Sequence, residues 1–199
     1  MPWEISFLEW IDRTMHGSEI WNQIVKYFSV LNDIGLIWII LGIILLCIKK
    51  YRRVGVMFLL TLAVGFIFND LMLKKLVMRP RPYENSEQLA NFVLPLFEKH
   101  ENLHPIINKL IGGALPGGSS FPSGHTYSSF NCAYMLYLVH KKWGIPALIF
   151  AVLMALSRLF LCVHYPSDVL AGMVFGLLTA YLMHRLVSPW VKKKEKPCA

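Results

Sequence analysis

The sequence predicts an all-α fold: a polytopic transmembrane helix bundle of about five to six spans, with an outer-face loop between the second and third clear spans. Three observations predict it. The 199 residues are 55% hydrophobic and 16% charged, whereas a soluble domain carries about 25% charged residues. The apolar residues come in blocks: Ile34 to Ile48 and Val54 to Phe68 are fifteen residues each without a charge, and Gly144 to Leu156 and Val169 to Met183 read the same way. A span needs roughly 20 mostly apolar residues, which each block reaches with its flanks. Finally, the basic residues between these blocks follow the pattern of cytoplasmic turns.

The whole chain, 1–199, reads as one membrane domain. Its N-terminal segment, 1–33, carries Glu4, Glu9, Asp12 and Glu19, and no basic region precedes an apolar run. It therefore does not read as a cleaved signal peptide. Ile5, Leu8, Ile11 and Met15, then Ile20, Ile24 and Phe28, recur at helical spacing with charges on the other face. Amphipathic helices lying on the membrane surface are expected, with a short or re-entrant span as the competing reading.

Spans follow at 34–48, 54–73, 126–140, 144–163 and 167–186. Lys49-Lys50-Tyr51-Arg52-Arg53 joins the first two, Lys141-Lys142 joins the next two, and Arg185 with Lys192-Lys193-Lys194-Glu195-Lys196 follows the last. All three clusters belong in the cytoplasm by the positive-inside rule, which places the C-terminus there. The loops 74–125 and 164–167 then face outward. The net charge of +8 is explained by these topology signals and by contact with anionic lipid; no nucleic-acid partner is expected. Within the outer loop, 83–121 has Gly112-Gly113 and Pro116-Gly117-Gly118-Ser119-Ser120 as turn chemistry. Apolar faces run through Phe92, Leu94, Leu96 and Phe97 and through Leu103, Ile106, Ile107, Leu110 and Ile111. The stretch reads as a surface-lying lid beside the site, with a structural cap as the competing reading. The cysteines Cys47, Cys132, Cys162 and Cys198 have no metal-ligand spacing and read as small buried hydrophobes.

Three polar stretches lie at the outer ends of these spans. Pro166 disfavours helix at Tyr165 and suits the first turn of the next one, so His164 sits in a loop and Asp168 in that helix's first turn. A carboxylate there can accept the imidazole Nδ1–H and leave Nε2 free to attack. Pro122-Ser123-Gly124-His125 begins the third span, where unpaired N–H groups and the helix dipole suit an anion. Gly124 permits close backbone approach, Ser123 reads as an anion ligand or a plain N-cap, and His125 can protonate a leaving oxygen. Arg158 lies inside the fourth span, tolerable only if paired or facing a polar cavity. Lys74, Lys75, Arg79 and Arg81 crowd the outer end of the second span against the positive-inside trend, which suits phosphate. Asp70, one turn before Lys74, reads as a structural partner for a cation. His100 and His104 share a helical spacing, but Pro105 follows at once; no metal site and no cofactor are expected.

Lys74-x6-Arg81-Pro82, Pro122-Ser123-Gly124-His125 and Ser157-Arg158-x5-His164-x3-Asp168 resemble the three-part signature of the type 2 phosphatidic acid phosphatase superfamily. The resemblance implies that His164 is a nucleophile forming a phosphohistidine, that Asp168 orients it, and that His125 protonates the leaving group and later activates water. It implies that Lys74, Arg81, Ser123, Arg158 and the Gly124 amide hold the phosphoryl oxygens, without a metal ion, at the outer face of the plasma membrane. Many bacterial relatives resemble a six-helix plan, and the segment before residue 34 departs from it by lacking a clean span. The expected activity is hydrolysis of a phosphate or diphosphate group from a phospholipid or polyprenyl phosphate arriving through the bilayer. Undecaprenyl diphosphate comes first, then phosphatidylglycerol phosphate or phosphatidate. A lipid phosphotransferase and a non-catalytic lipid-binding or transport protein are the alternatives. The site resembles the vanadate-dependent haloperoxidases too, against which the membrane spans argue.

Overall fold

The computed structural model describes residues 2–97 and 118–193. Helices α1 (Pro2–Met15) and α2 (Glu19–Val30) precede α3 (Leu36–Cys47). Helix α4 (Arg52–Phe66) runs on through a π-helical segment, Ile67–Leu73, into α5 (Lys74–Val77). A 3-10 turn (Pro82–Glu84) and α6 (Glu87–Leu96) follow. The bundle is completed by α7 (Gly124–Val139), α8 (Lys141–Phe160) and α9 (Pro166–Lys193). No strand occurs among the described residues.

By length and composition, three helical stretches can cross a membrane: Arg52–Glu84, Lys141–Phe160 and Pro166–Pro189. Leu36–Cys47 is apolar but shorter. The sequence expectation of five to six spans thus exceeds what the described helices meet by that standard. Helix α7 accounts for one difference, because at 16 residues it is short for a span. It packs against α8, α9, α4 and α3, and Thr126, Tyr127, Ser129, Phe130, Asn131, Cys132, Ala133, Met135 and Leu136 are all buried. A helix buried all round has no lipid-facing stripe, so its polar residues are satisfied by protein: Asn131 Nδ2 donates to the Thr61 carbonyl at 3.0 Å, and Tyr127 Oη shares a hydrogen with Thr179 Oγ1 at 2.6 Å.

Helix α9 approaches α7 closely because two glycines one helical turn apart face it. A Cβ on Gly172 would lie 2.7 Å from the Ser123 carbonyl oxygen, and one on Gly176 would lie 2.6 Å from that of Tyr127. Small residues at this spacing let backbones pack without lipid between them. The close approach positions the first turn of α7 beside the first turn of α9, where the Ser123 amide donates to the Asp168 carbonyl at 3.0 Å.

The two amphipathic N-terminal helices are present, but α2 is inverted relative to a helix on a water-soluble core. Ile20, Trp21, Ile24, Tyr27 and Leu31 are exposed while Asn22, Lys26 and Ser29 are buried. Its apolar face points outward and its polar face inward, the arrangement a hydrocarbon surround selects. Lys26 Nζ donates to the Leu96 carbonyl at 2.7 Å. Helix α1 packs on α6 and α8. Leu8 and Ile11 join Leu89, Val93, Leu96 and Phe97 in one core, while Trp38, Met57, Phe58, Phe130 and Met135 form the other.

Residues 83–97 of the expected lid or cap pack against α1. Ser86 caps α6 and donates to Glu9 Oε1 at 2.7 Å, and Phe92 stacks on His16 with centroids 3.6 Å apart. The rest of that expectation, with Leu103 to Ile111, His100, His104 and Gly112-Gly113, lies outside the described residues, as does Cys198. Cys132 and Cys162 are buried as expected; Cys47, at the end of α3, is exposed.

Candidate active site

The loop between α8 and α9 is a tight reversal. Val163 N donates to the Arg158 carbonyl at 3.3 Å, and Cys162 adopts φ 53 to turn the chain, a conformation that a non-glycine residue holds only where its surroundings impose it. The reversal delivers His164, almost fully buried, between three elements. Its Nδ1 lies 2.8 Å from the Ser120 carbonyl oxygen, so Nδ1 carries the proton. Its Nε2 then carries the lone pair, which accepts from Arg81 Nη1 at 3.4 Å.

This corrects one detail of the sequence reading. The carboxylate of Asp168 does not take the imidazole proton directly: Oδ2 is 3.8 Å from Nδ1. Oδ2 instead accepts from Ser120 Oγ and from the Tyr165 amide, the latter at 2.9 Å. Asp168 stands at the third position of α9 and reaches back to the residue before the helix, as the carboxylate of a capping box does. It thus holds both sides of the His164 pocket, the Ser120 strand of chain and the Tyr165 turn.

The cations converge around Nε2. Arg81 is buried, donating from Nη1 to the Val163 carbonyl at 2.9 Å and from Nε to the Gly118 carbonyl at 3.3 Å. Arg158, 3% exposed, donates from Nη1 to Ser29 Oγ. Its Nε has no hydrogen-bond partner, and among the described residues no carboxylate forms an ion pair with it. A buried guanidinium in that condition is costly unless an anion completes it. Lys74 pairs with Asp70, one turn earlier, as expected. A Cβ on Gly124 would come 3.1 Å from Lys74 Nζ, so the glycine is what lets this cation lie against the start of α7. Ser123 takes the N-cap position, but its hydroxyl accepts from Thr126 Oγ1 at 3.0 Å and makes no cap bond.

His125 sits in the first turn of α7 with Nε2 2.8 Å from Asp33 Oδ1. Asn32 Nδ2 anchors the same turn by donating to the His125 carbonyl at 2.9 Å. A cavity of about 500 Å³ runs from Lys74, Gly124 and His125 to Ile39, Leu59, Leu62 and Phe66. It joins the polar end of the bundle to an apolar cleft between α3 and α4.

All eight residues singled out from sequence are thus placed at one end of the bundle, around the facing ends of α7 and α9. Four others took their place in the site only with the structure. Ser120 looked like turn chemistry, Arg79 like one cation of a crowd, and Asp33 and Glu4 carried no local signal, since their partners are 92 and 75 residues away.

Residues 52–192 match the PAP2 superfamily model. The chain is 33% identical over 112 residues to the bacitracin transport permease protein BcrC of Bacillus licheniformis, covering 49% of this chain and 54% of that protein. It is 29% identical over 159 residues to an undecaprenyl-diphosphatase of Sulfolobus acidocaldarius, covering 79% of this chain and 67% of that protein. The alignments thus span between half and two thirds of those two relatives. The fold matches the crystal structure of a transmembrane PAP2 type phosphatidylglycerolphosphate phosphatase from Bacillus subtilis, with a TM-score of 0.62 at 23% identity, over 98% of this chain and 88% of that one.

Proposed function

This chain belongs to the PAP2 superfamily, and from that premise we propose that it is a multi-pass membrane lipid phosphatase working through a phosphohistidine on His164. One observation carries the reading: a neutral, buried imidazole whose Nδ1 is tied to a carbonyl and whose Nε2 faces a guanidinium. Nε2 attacks the terminal phosphorus, a P–N bond forms, and the P–O bond to the lipid portion breaks. Arg81, Arg158, Lys74, the Ser123 hydroxyl and the Gly124 amide offset charge on the phosphoryl oxygens. His125, with Nε2–H held by Asp33 Oδ1, gives the proton on Nδ1 to the leaving oxygen. It then takes one from the water that cleaves the P–N bond and releases inorganic phosphate.

Undecaprenyl diphosphate is the first substrate to try, followed by phosphatidylglycerol phosphate and phosphatidate. The apolar cleft continuing from His125 suits a lipid tail. The outer-face location is supported by the basic turns: an apolar cleft that runs along α3 from Ile37 ends at Ile48, Tyr51, His140 and Trp143, which gathers Lys49 to Arg53 and Lys141-Lys142 on one side. On this reading that side and the C-terminus are cytoplasmic, and 1–199 is one domain.

The test is phosphate release by the detergent-purified chain, in excess EDTA, from those three lipids. Release from at least one is expected, and its absence from all three would overturn the reading. Transfer to an added alcohol in place of water would instead identify a phosphotransferase.

A pH dependence follows from the same geometry. Burial, then Arg81, Arg158 and Lys74, hold the His164 pKa well below its ordinary 6.5. The free enzyme's nucleophile therefore stays unprotonated into mildly acidic pH. Arg81→Gln removes one of the charges that lower this pKa, so the pKa rises. The acid limb of kcat/KM then moves to higher pH. A pH–rate profile checks this; an acid limb that stays in place counts against His164 as the group that must be neutral.

A further inference from the structure

Behind the nucleophile lies a second chain of charge, its two carboxylates buried, that the phosphatase reading does not use. Arg79 Nη1 donates to Asp168 Oδ1 at 2.6 Å and to Ser167 Oγ at 2.7 Å. Its Nη2 donates to Glu4 Oε2 at 2.6 Å. The other oxygen of Glu4 accepts from the Ser167 amide at 3.0 Å and from its hydroxyl at 2.7 Å. The guanidinium also lies over the Tyr165 ring, 3.8 Å from its centroid. Glu4 and Asp168 are both fully buried.

Both carboxylates are thereby fully engaged. With Oδ1 of Asp168 held by Arg79, Oδ2 is left to bind Ser120 and Tyr165, the two residues that flank His164. Burial pushes the Glu4 carboxyl up, but the Ser167 bonds and Arg79 outweigh this and hold it below its ordinary value, so it is ionised. Three groups (Glu4, Arg79 and Asp168) sum to one negative charge, close enough to offset positive charge that develops on the imidazole as Nε2 bonds to phosphorus. Two of these three charges are fully buried, and burying ion pairs is a poor way to gain stability. The position of the triad suggests a role at the site, which α1 reaches through Glu4.

We propose that Arg79 and Glu4 are positioning residues for the phosphoryl-transfer step, acting on His164 through Asp168 and Ser120, which makes the N-terminal helix a working part of the site. The proposal rests on the phosphatase reading for its rate measurement, and has a second readout that does not.

The experiment compares Arg79→Lys, Glu4→Gln and Glu4→Ala with the wild type in the full-length, detergent-purified chain. Phosphate release in EDTA gives kcat and KM, and nitrogen NMR of histidine-labelled protein gives the His164 ring signals. Arg79→Lys keeps the charge but loses the two-armed link between Glu4 and Asp168, and Glu4→Gln keeps most hydrogen bonds while removing the charge. Loss of kcat by roughly 10- to 100-fold with KM little changed is expected in Arg79→Lys and Glu4→Ala, as for other groups that orient a reacting side chain. Glu4→Gln is expected to fall between these and the wild type. The His164 nitrogen signals shift in the same order. Folded variants with wild-type kcat overturn the proposal, as does a change confined to KM or to thermal stability. If the wild type itself releases no phosphate, the phosphatase reading fails, and the NMR decides alone: unshifted His164 signals in Arg79→Lys and Glu4→Ala overturn the positioning role.

Discussion

His164→Ala is expected to lower phosphate release by about 10⁴-fold or more, because it removes the atom that bonds to phosphorus and no neighbouring side chain replaces it. Binding should survive. Arg81, Arg158 and Lys74 reach the site from other elements, and the Ser120 carbonyl that loses its partner belongs to a segment still held by Asp168. The measurement pairs turnover with the affinity of a non-hydrolysable lipid phosphonate in the same preparation. Lost turnover with retained binding separates the nucleophile from the grip. Equal turnover in the variant would sink the phosphohistidine mechanism. Loss of both with a lower Tm would mean that the imidazole is part of the frame, as its hydrogen bond to Ser120 permits, and His164→Asn would then be the substitution to measure.

Arg158→Met carries the second large effect, and its two arms point in opposite directions. The guanidinium is buried, donates one bond to Ser29, and leaves Nε unpaired. In the absence of substrate its desolvation is poorly compensated, and apolar residues of similar volume commonly replace such charges with no loss of stability or a gain. Tm should therefore hold or rise. Catalysis should fall, since a charge that completes its bonds only on a phosphoryl group contributes most when that group is most highly charged. The expected loss in kcat/KM is about 10²- to 10³-fold, the scale of removing one preorganised donor from a reacting oxygen. Arg158→Lys should recover part of it, with a point charge but no fork. A large drop in Tm with kcat/KM preserved would make Arg158 a structural residue and remove it from the site.

These two effects share an origin with the inverted face of α2. Ser29, the partner of Arg158, lies on the buried polar side of a helix whose apolar side is exposed. A helix that presents polar atoms inward and hydrocarbon outward gains its burial energy from lipid and its specificity from the site. Helical periodicity in the N-terminal segment was readable from Ile20, Ile24 and Phe28. Which face turned inward was not, because periodicity reports two faces without saying which medium each one meets.

The motifs themselves were legible because each depends on local chemistry. A proline that opens a helix, a glycine where a cation approaches, a pair one turn apart such as Asp70 and Lys74, and a charge inside an apolar run are all visible at short range. Helix α7 was harder. Its mixture of Thr126, Ser129 and Asn131 with aromatic residues resembles a weak span, and only its contacts with α4, α8 and α9 show that protein rather than lipid surrounds it.

The sequence alone therefore determined an all-helical membrane chain, the eight residues that meet around the candidate site, and their chemical classes, since each follows from composition or from spacing within one or two turns. Tertiary structure alone decided that Asp168 reaches His164 through Ser120, that Asp33 holds His125, and that Glu4 and Arg79 stand behind the nucleophile. Those contacts join residues 44 to 163 positions apart. No local preference encodes such pairs; they exist because helices packed at fixed angles bring distant backbone segments within hydrogen-bond reach, and burial then requires each charge to find a partner.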